Sequence, residues 1–263
     1  MSTFDGVIKE YPLISIDNFL EKSSNFQSTV FFLSHCHEDH MRGLAKDKFF
    51  DLLVSRGFSR LYVSDVSEHL LKNDEKYCHL SKYLVSLPLE HPTILDIYDE
   101  GGTVCSRIVV TLLTAGHCPG SVMFLLEGEN GRVLYTGDFR IPIGGSARMP
   151  DLHDKNGRLK PIDSLYIDTT FCTEDYLYIP TREECLKEIL KIVENWLSKG
   201  PDHIVRFVCP AKYAYEFVFV EIFKQLGEKA HVMIYNMQLS IIKYTESQLL
   251  ISYQFIETTF LSH

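Results

Sequence analysis

The sequence has no long apolar run, since none of its hydrophobic stretches approaches the roughly 18 residues of a membrane-spanning helix. Its first residues lack the basic and then apolar pattern of a secretory signal peptide. It has no Cys-x-x-Cys pair, and its seven cysteines are an odd number that cannot all pair within the chain. These absences argue against a membrane or secreted protein and predict a reducing compartment, the cytosol or the nucleus.

The sequence also lacks the positive charge of a general nucleic-acid binder, because its formal net charge is −9 at pH 7. That argument weakens if acidic residues hold divalent ions, since two such ions bring about +4 to the place where a phosphate binds. The 263 residues are 45% hydrophobic and 23% charged, which is typical of a soluble globular protein with one large domain or two modest ones. Net charge therefore does not decide whether nucleic acid is a partner.

Residues 34–40 form the densest group of potential metal ligands, with the sequence Ser-His-Cys-His-Glu-Asp-His. They follow an apolar run, residues 30–33, that predicts a buried strand. Three imidazoles and two carboxylates after a buried strand are poor material for a core. Neutral imidazole and ionised carboxylate are, however, the ligands of hydrolytic zinc sites. A solvated polar loop is the alternative interpretation of this motif.

The spacing within the motif predicts two neighbouring metal positions. In an extended segment, residues two apart point the same way, so His35 and His37 can bind one ion. Asp39 and His40 then begin a turn, which we expect to lead into a helix through residues 41–44, in a stretch of helical character that extends to residue 56. From that turn, these two side chains can face a second ion beside the first.

A β-meander is predicted over residues 93–137, where stretches of β-branched and long apolar residues are separated by glycines. His117 lies in one of its turns, between glycines that allow close approach of the backbone. Asp138 follows the last predicted strand and could bridge two ions, which in two-metal sites lie about 3.5–4 Å apart. Singly, each could belong to an ordinary turn, but together they supply the imidazole and the carboxylate that the first motif lacks.

Two further aspartates, Asp17 and Asp168, each follow a predicted strand. An aspartate in that position is often only a turn or helix-capping residue. After Asp168, a capping-box pattern at residues 181–184 predicts a helix that ends near Gly200, and further strands and helices alternate up to residue 234. This alternation predicts an α/β layer with parallel pairing.

The first motif, the turn at His117 and the sequence Thr136-Gly137-Asp138 together resemble the metallo-β-lactamase superfamily. Longer stretches are similar to the DNA cross-link repair nucleases of its β-CASP branch, and the similarity runs from about residue 1 to residue 234. These stretches are residues 11–17, 110–124, 134–140 and 165–172.

The resemblance implies an α/β fold. Residues 1–155 would form a metallo-β-lactamase αββα four-layer sandwich that lacks its C-terminal return strands. Residues 156–235 would form a partial β-CASP α/β insert, and residues 236–263 a divergent tail of unknown structure. In the family the chain continues well past this length with further histidine motifs, so we expect a C-terminally truncated form.

The resemblance also implies the roles of the site residues. The ligands of the first ion would be His35, His37, His117 and Asp138, and those of the second ion Asp39, His40 and Asp138. Asp17 would support the ligands from behind, and Asp168 would lie near the metals. The predicted catalytic carboxylates are therefore those of Asp17, Asp39, Asp138 and Asp168. The ions would be Zn²⁺, with Mg²⁺ or Mn²⁺ as alternatives in the second position.

The function implied by the resemblance is hydrolysis of phosphodiesters at DNA ends by water that two metal ions activate. The enzyme would act as a 5′-exonuclease, or as an endonuclease at hairpins and single-stranded overhangs. It would serve double-strand-break end joining and cross-link repair in the nucleus, away from membranes. Its protein partners would be the DNA-dependent protein kinase catalytic subunit and the DNA ligase of end joining.

Other functions stay open at this point. The chain could be an inactive fragment of such a nuclease, or an RNA-processing enzyme or small-ester hydrolase of the same superfamily. Arg42, Lys46, Arg140 and Lys212 are candidate phosphate contacts, although a solvated surface charge is the more usual role for each.

Overall fold

The computed structural model of the chain describes residues 4–21, 27–209 and 211–228, together with the backbone of four strands between residues 231 and 261. The chain divides into two compact units, residues 1–168 and residues 169–263. The domain boundaries expected from the sequence stay predictions. Among the described residues, every helix falls short of the length and apolar character that crossing a bilayer requires.

The first sheet of the first unit has five strands, which lie side by side in chain order. They are β1 (Val7–Ile8), β2 (Tyr11–Ile16), β3 (Val30–Phe32), β4 (Arg60–Ser64) and β5 (Leu84–Leu87). β2 to β5 run parallel, whereas β1 pairs antiparallel with β2. Because the carboxyl ends of parallel strands meet at one edge, Asp17 after β2 and the 34–40 motif after β3 come together there.

The second sheet also has five strands, in the order β10-β9-β8-β7-β6. They are β6 (Thr93–Tyr98), β7 (Val104–Thr114), β8 (Val122–Gly128), β9 (Gly131–Tyr135) and β10 (Ser164–Tyr166). β6 to β9 pair antiparallel with their chain neighbours, so the predicted meander is confirmed. β10 returns after a long connection and pairs parallel with β9, which brings Asp168 beside the end of β9.

The main hydrophobic core is formed between the two sheets. Side chains with period-2 spacing along each strand face it, such as Val30 and Phe32 in β3 and Val110 and Leu112 in β7. The rings of Phe32 and Phe124 meet across it with their centroids 4.9 Å apart. Burial of one such side chain contributes about 1.5–3 kcal/mol, so this core fixes the two sheets against each other.

Two helices cover the outer face of the first sheet, α1 (Asp47–Arg56) and α2 (Asp65–Lys72). Phe31 alternates to this face and packs against Phe49 of α1, with ring centroids 5.1 Å apart. α2 packs against β4 and β5, and the Ser64 side chain caps its start by accepting a hydrogen bond from the Ser67 amide. Short 3₁₀ turns occur at residues 78–80, 146–148, 150–152 and 174–176.

The helix expected within residues 41–56 begins only at Asp47, because residues 41–46 form turns. Gly43 has a φ of +84°, and a Cβ there would lie 2.4 Å from the carbonyl oxygen of Phe19. A regular helix cannot pass through a residue with this conformation. Residues 77–85 also have a sequence that predicts a helix, but the end of this stretch forms strand β5, whose pairing with β4 overrides local propensity.

The second unit contains α3 (Arg182–Leu197), β11 (Ile204–Cys209), α4 (Glu216–Leu226) and β12 (His231–Ile234). The predicted capping box of α3 is confirmed, since the Glu184 amide donates to Thr181 Oγ1 at 3.1 Å and the Thr181 amide donates to Glu184 Oε2 at 2.7 Å. Leu190 and Val193 of α3 pack with Ile222 of α4 in a separate apolar cluster.

The parallel pairing predicted for the strands of this unit is not found between β11 and β12. Strand β15 (Ile256–Leu261) lies between them and pairs antiparallel with both. Strands β13 (Ser240–Lys243) and β14 (Leu249–Ser252) form an antiparallel pair of their own. Sequence reasoning missed these strands because the last stretch has neither clear periodicity nor turn residues.

Gly43→Ala is expected to destabilise the first unit far more than Gly57→Ala. Both glycines have positive φ, which costs another residue about 1–2 kcal/mol, but only at Gly43 does a Cβ also meet backbone. We expect a loss of about 3 kcal/mol or more for Gly43→Ala and about 1–2 kcal/mol for Gly57→Ala in urea unfolding. Equal losses would show that the contact with Phe19 does not restrict this position.

Candidate metal centre

The candidate site lies where the edges of the two sheets of the first unit meet. The Val122 amide at the start of β8 donates to the Ser34 carbonyl at 3.0 Å, so the second sheet is tied directly to the histidine motif. Six predicted ligands come together here: His35, His37, Asp39, His40, His117 and Asp138. Their roles as ligands stay predictions, but their proximity is a property of the fold.

Three imidazoles form the first group, which we call the three-histidine cluster: His35, His37 and His117. His35 Nε2 lies 3.1 Å from His37 Nδ1, and His37 Nδ1 lies 3.1 Å from His117 Nε2. Tetrahedral zinc with Zn–N bonds of about 2.0–2.1 Å would space its nitrogen ligands about 3.3 Å apart. The cluster therefore already has nearly the spacing of a zinc ligand set.

The turn that presents His117 is held by its own hydrogen bonds. Ser121 Oγ accepts from the amides of His117 and Cys118 at 3.0 and 3.1 Å, and the Ser121 amide donates to the Cys118 carbonyl at 3.0 Å. Pro119 and Gly120, whose φ is +78°, occupy the two central positions, the pattern of a type II turn. The imidazole of His117 is thus directed by a rigid turn.

Asp138 lies between the three-histidine cluster and His40. Its Oδ2 is 3.5 Å from His117 Nε2 and 3.9 Å from His35 Nε2, and its Oδ1 is 3.1 Å from His40 Nε2. Asp39 Oδ2 approaches the same His40 nitrogen at 3.9 Å. One carboxylate that faces two groups of nitrogen ligands has the geometry of a bridging ligand.

Asp17 is buried behind these groups and accepts four hydrogen bonds. Its Oδ1 accepts from the Ser34 amide at 2.7 Å. Its Oδ2 accepts from Ser34 Oγ at 2.5 Å, from His40 Nδ1 at 2.9 Å and from the Tyr135 hydroxyl at 2.9 Å. Asp17 has a φ of +56°, a conformation that is uncommon outside glycine and that its four bonds stabilise.

This network assigns the tautomers of two histidines. His40 Nδ1 must carry its proton towards Asp17, which leaves the lone pair of Nε2 directed at the Asp138 carboxylate. Ser34 Oγ donates to Asp17 and therefore accepts from His35 Nδ1 at 2.9 Å, which leaves the lone pair of His35 Nε2 facing the cluster. A nitrogen lone pair and a carboxylate oxygen at this distance repel each other unless a proton or a metal ion lies between them, so the residues present fit a metal ion.

The electrostatics of the site agree with this conclusion. Burial alone lowers the pKa of His40, but hydrogen bonds with Asp138 and Asp17 raise it to about 10. Burial raises the pKa of Asp138, but the hydrogen bond with His40 and the charges of the imidazoles lower it to about 2. Burial, and then the charges of His40 and His37, lower the pKa of His35 well below its usual value. A positive charge is thus favoured next to Asp138, beside a neutral imidazole.

Asp168 follows β10 at the same sheet edge. Its amide donates to Thr136 Oγ1 at 3.1 Å, and its charge helps, after burial and Asp17, to raise the pKa of Tyr135 well above the usual value. Asp168 is therefore close enough to the ends of β9 and β10 to influence the site electrostatically. Its catalytic role stays a prediction.

Sequence reasoning missed Ser34, Tyr135, Ser121 and Cys118. Ser34 and Tyr135 bind Asp17, and Ser121 holds the His117 turn. Their signal in the sequence is weak, since a serine and a tyrosine next to apolar strands usually have no special partner. Cys118 adjoins His117, but no second cysteine lies near it in the sequence, so no cysteine motif marks it as a ligand.

Of the candidate phosphate contacts, Arg140 lies next to the His117 turn, where its amide donates to the Ala115 carbonyl at 2.8 Å. The Arg42 carbonyl accepts from the Phe19 amide at 2.8 Å, close to the helix-breaking turn at Gly43. These bonds locate the two backbones near the site, and phosphate binding by their side chains stays a prediction.

No protein-family model matches the chain. Over 232 residues it is 47% identical to Protein artemis of Homo sapiens, which covers 88% of this chain and 33% of the relative. It is 33% identical over 203 residues to 5′ exonuclease Apollo of Rattus norvegicus, with 77% of this chain and 33% of the relative covered. It is 30% identical over 204 residues to the DNA cross-link repair 1A protein of Mus musculus, with 76% and 17% covered. The chain therefore spans about a third of the length of the artemis relative.

Asp17→Asn is expected to destabilise the first unit by about 2–4 kcal/mol, because an amide nitrogen in place of Oδ2 leaves buried donors without an acceptor. Tyr135→Phe, which removes one of the four bonds, should cost about 1 kcal/mol. The isosteric control is Asp39→Asn, whose half-exposed carboxylate has a distant contact at 3.9 Å. Urea unfolding measures all three variants, and an Asp17→Asn loss no larger than that of the control would refute the role assigned to Asp17.

Proposed function

We propose that this chain, which is similar to Protein artemis, 5′ exonuclease Apollo and the DNA cross-link repair 1A protein, belongs to their family and is a metal-dependent nuclease. Its reaction is hydrolysis of phosphodiesters at DNA ends. The observation that carries the proposal is that histidines and carboxylates from three distant segments meet around Asp138 in two adjacent groups. Two adjacent metal positions joined by a carboxylate are the arrangement used to cleave phosphate esters.

Each residue has a defined task in this mechanism. His35, His37 and His117 would hold the first ion, Asp39 and His40 would hold the second, and both ions would share Asp138. The bound ions supply an activated water and neutralise the charge that develops on the phosphate. Asp17 keeps His40 in the tautomer whose Nε2 points into the site, and through Ser34 it does the same for His35. Asp168, at the rim, orients ligands or carries a proton.

We propose Zn²⁺ for the first position, because three imidazoles suit that ion. The second position has more carboxylate, from Asp39 and Asp138, and takes Zn²⁺, Mg²⁺ or Mn²⁺. The two positions therefore differ in their ligand chemistry. The identity of the ion in the second position depends on which of these metals is available.

The proposed substrate is a DNA end, with single-stranded overhangs and hairpins as the structures cut. The charge of −9 is no obstacle, because two ions bring about +4 to the site itself. The relatives' names, 5′ exonuclease and DNA cross-link repair, support a nuclear function in repair. End joining, with the DNA-dependent protein kinase catalytic subunit and the DNA ligase of that process as partners, is part of the same proposal.

We propose that the fold is a metallo-β-lactamase αββα sandwich over residues 1–155, followed by a partial β-CASP domain to residue 235 and a tail. Support comes from the two packed sheets and from α1 and α2 on the outer face of the first. The α/β composition of the second unit agrees with an insert of this kind.

Asp39→Ala is expected to lower cleavage of 5′-phosphorylated single-stranded DNA by at least about 100-fold in the presence of zinc or magnesium. Loss of a ligand should exceed the 10–100-fold effect of losing a group behind a ligand. The measurement is release of nucleotides from a 5′-labelled strand by the full chain. Asp51→Ala, which removes an exposed carboxylate of α1, is the matched control and should cleave like the unchanged protein.

Equal cleavage by Asp39→Ala and the unchanged protein would remove the second metal position from the mechanism. A parallel panel with single-stranded RNA and a thioester tests the other chemistries of the superfamily. Faster cleavage of RNA or ester than of DNA would replace the proposed substrate while keeping the metal centre.

Zinc is expected to raise the melting temperature of the chain, because an ion that binds only the folded state stabilises it. At a free zinc concentration 100 times the Kd, the free energy of unfolding should rise by about 2.7 kcal/mol, and a chelator should reverse this increase. His117→Ala should reduce this shift strongly, whereas His91→Ala, which removes an exposed histidine bound to the Leu89 carbonyl, should not. Circular dichroism measures the melting temperatures. Equal zinc-induced shifts in the melting temperatures of the two variants would contradict the three-histidine cluster as the binding site.

A further inference from the structure

The turn that presents His117 also brings a thiol to the metal centre. Cys118 Sγ belongs to a group with His35, His37 and His117 in which all ligand atoms lie within 4.8 Å of one another. None of the ligand sets described above contains it. The side chain is half-buried, and its Sγ also approaches the Pro119 carbonyl at 3.8 Å.

The backbone keeps Cys118 in this place. Its amide donates to Ser121 Oγ and its carbonyl accepts from the Ser121 amide, so both of its peptide groups are fixed within the turn. Pro119 follows directly and restricts the conformation of Cys118 further. A thiol on such a turn is positioned in advance, as a ligand must be to bind without a large entropy loss.

Cys36 is a second cysteine in this region, and its thiol faces away from the three-histidine cluster. It stands between His35 and His37 in the sequence, but alternation directs it to the opposite side, where its buried thiol approaches the Ser67 carbonyl at 4.0 Å. Two cysteines near the same histidines therefore have different surroundings, and Cys118 is the one grouped with ligand atoms.

We propose that Cys118 Sγ is a ligand of the first metal position, together with His35, His37 and His117; this rests on the proposed metal centre. Zn–S bonds of about 2.3 Å and Zn–N bonds of about 2.0–2.1 Å form a tetrahedral set that such a cluster reaches with small side-chain shifts. When the metal–sulfur bond forms, the thiol proton passes to solvent, so no oxidant or reductant is involved.

Four protein ligands close a zinc site, whereas a hydrolytic site keeps a position for water. With Cys118 Sγ bound beside the three histidines and the shared Asp138, the first position would have no place for water until the thiolate is displaced.

Cobalt(II) chloride, added to the full chain after removal of zinc, tests this assignment, because a thiolate bound to cobalt gives a strong near-ultraviolet charge-transfer band. The unchanged protein should show this band together with the visible bands of bound cobalt. Cys118→Ser should keep the visible bands and lose the charge-transfer band, and its zinc affinity should fall at least about tenfold. Cys105→Ser and Cys78→Ser, at exposed cysteines, are the matched controls and should keep both.

Cobalt that binds to the unchanged protein without the charge-transfer band, or with a band that persists in Cys118→Ser, overturns the assignment and leaves the proposed nuclease site intact. Absence of bound cobalt in every variant overturns both. Circular dichroism of Cys118→Ser confirms that its spectrum is that of a folded chain, and Cys118→Ala repeats the test without a hydroxyl that could itself bind metal.

Discussion

The carboxylate of Asp17 is the constraint on which the candidate site depends. It gathers the Ser34 amide and hydroxyl, His40 and the Tyr135 hydroxyl, so one buried charge links β2, β3 and β9. A buried carboxylate is tolerated only when donors compensate for its lost hydration. Two of these donors, Ser34 Oγ and His40 Nδ1, also fix the tautomers of His35 and His40. The bonds that stabilise the buried Asp17 therefore orient two candidate ligands as well.

The sandwich explains why chemistry is concentrated at one edge of it. Its core side is filled by apolar residues of both sheets, so polar side chains can accumulate only where strands end. The parallel strands of the first sheet end there, and β8 and the loop after β9 reach the same edge from the second. Overall acidity matters little under these conditions, because the local arrangement around Asp138 determines where a cation is favoured.

The sequence predicted those elements and contacts whose formation depends on residues close together in the chain. The meander, the capping box of α3 and the proximity of His35 to His40 could be predicted, since each depends on local spacing. The turn at Gly43, strand β5 and the pairing of β15 could not, because each depends on a contact distant in the chain. The same limit applies at the site, where Ser34 and Tyr135 gain importance only from Asp17, and Cys118 only from folded neighbours.

The bond between Tyr135 and Asp17 joins residues 118 positions apart, and His37 meets His117 across 80 positions. Contacts of this sequence separation form slowly, because closing so long a loop costs entropy before any enthalpy is gained. Both sheets must therefore be in place before the full set of ligands exists, and a partly folded chain would offer an ion only the short motif after β3. The proposed ions would therefore bind late in folding, once both sheets are complete.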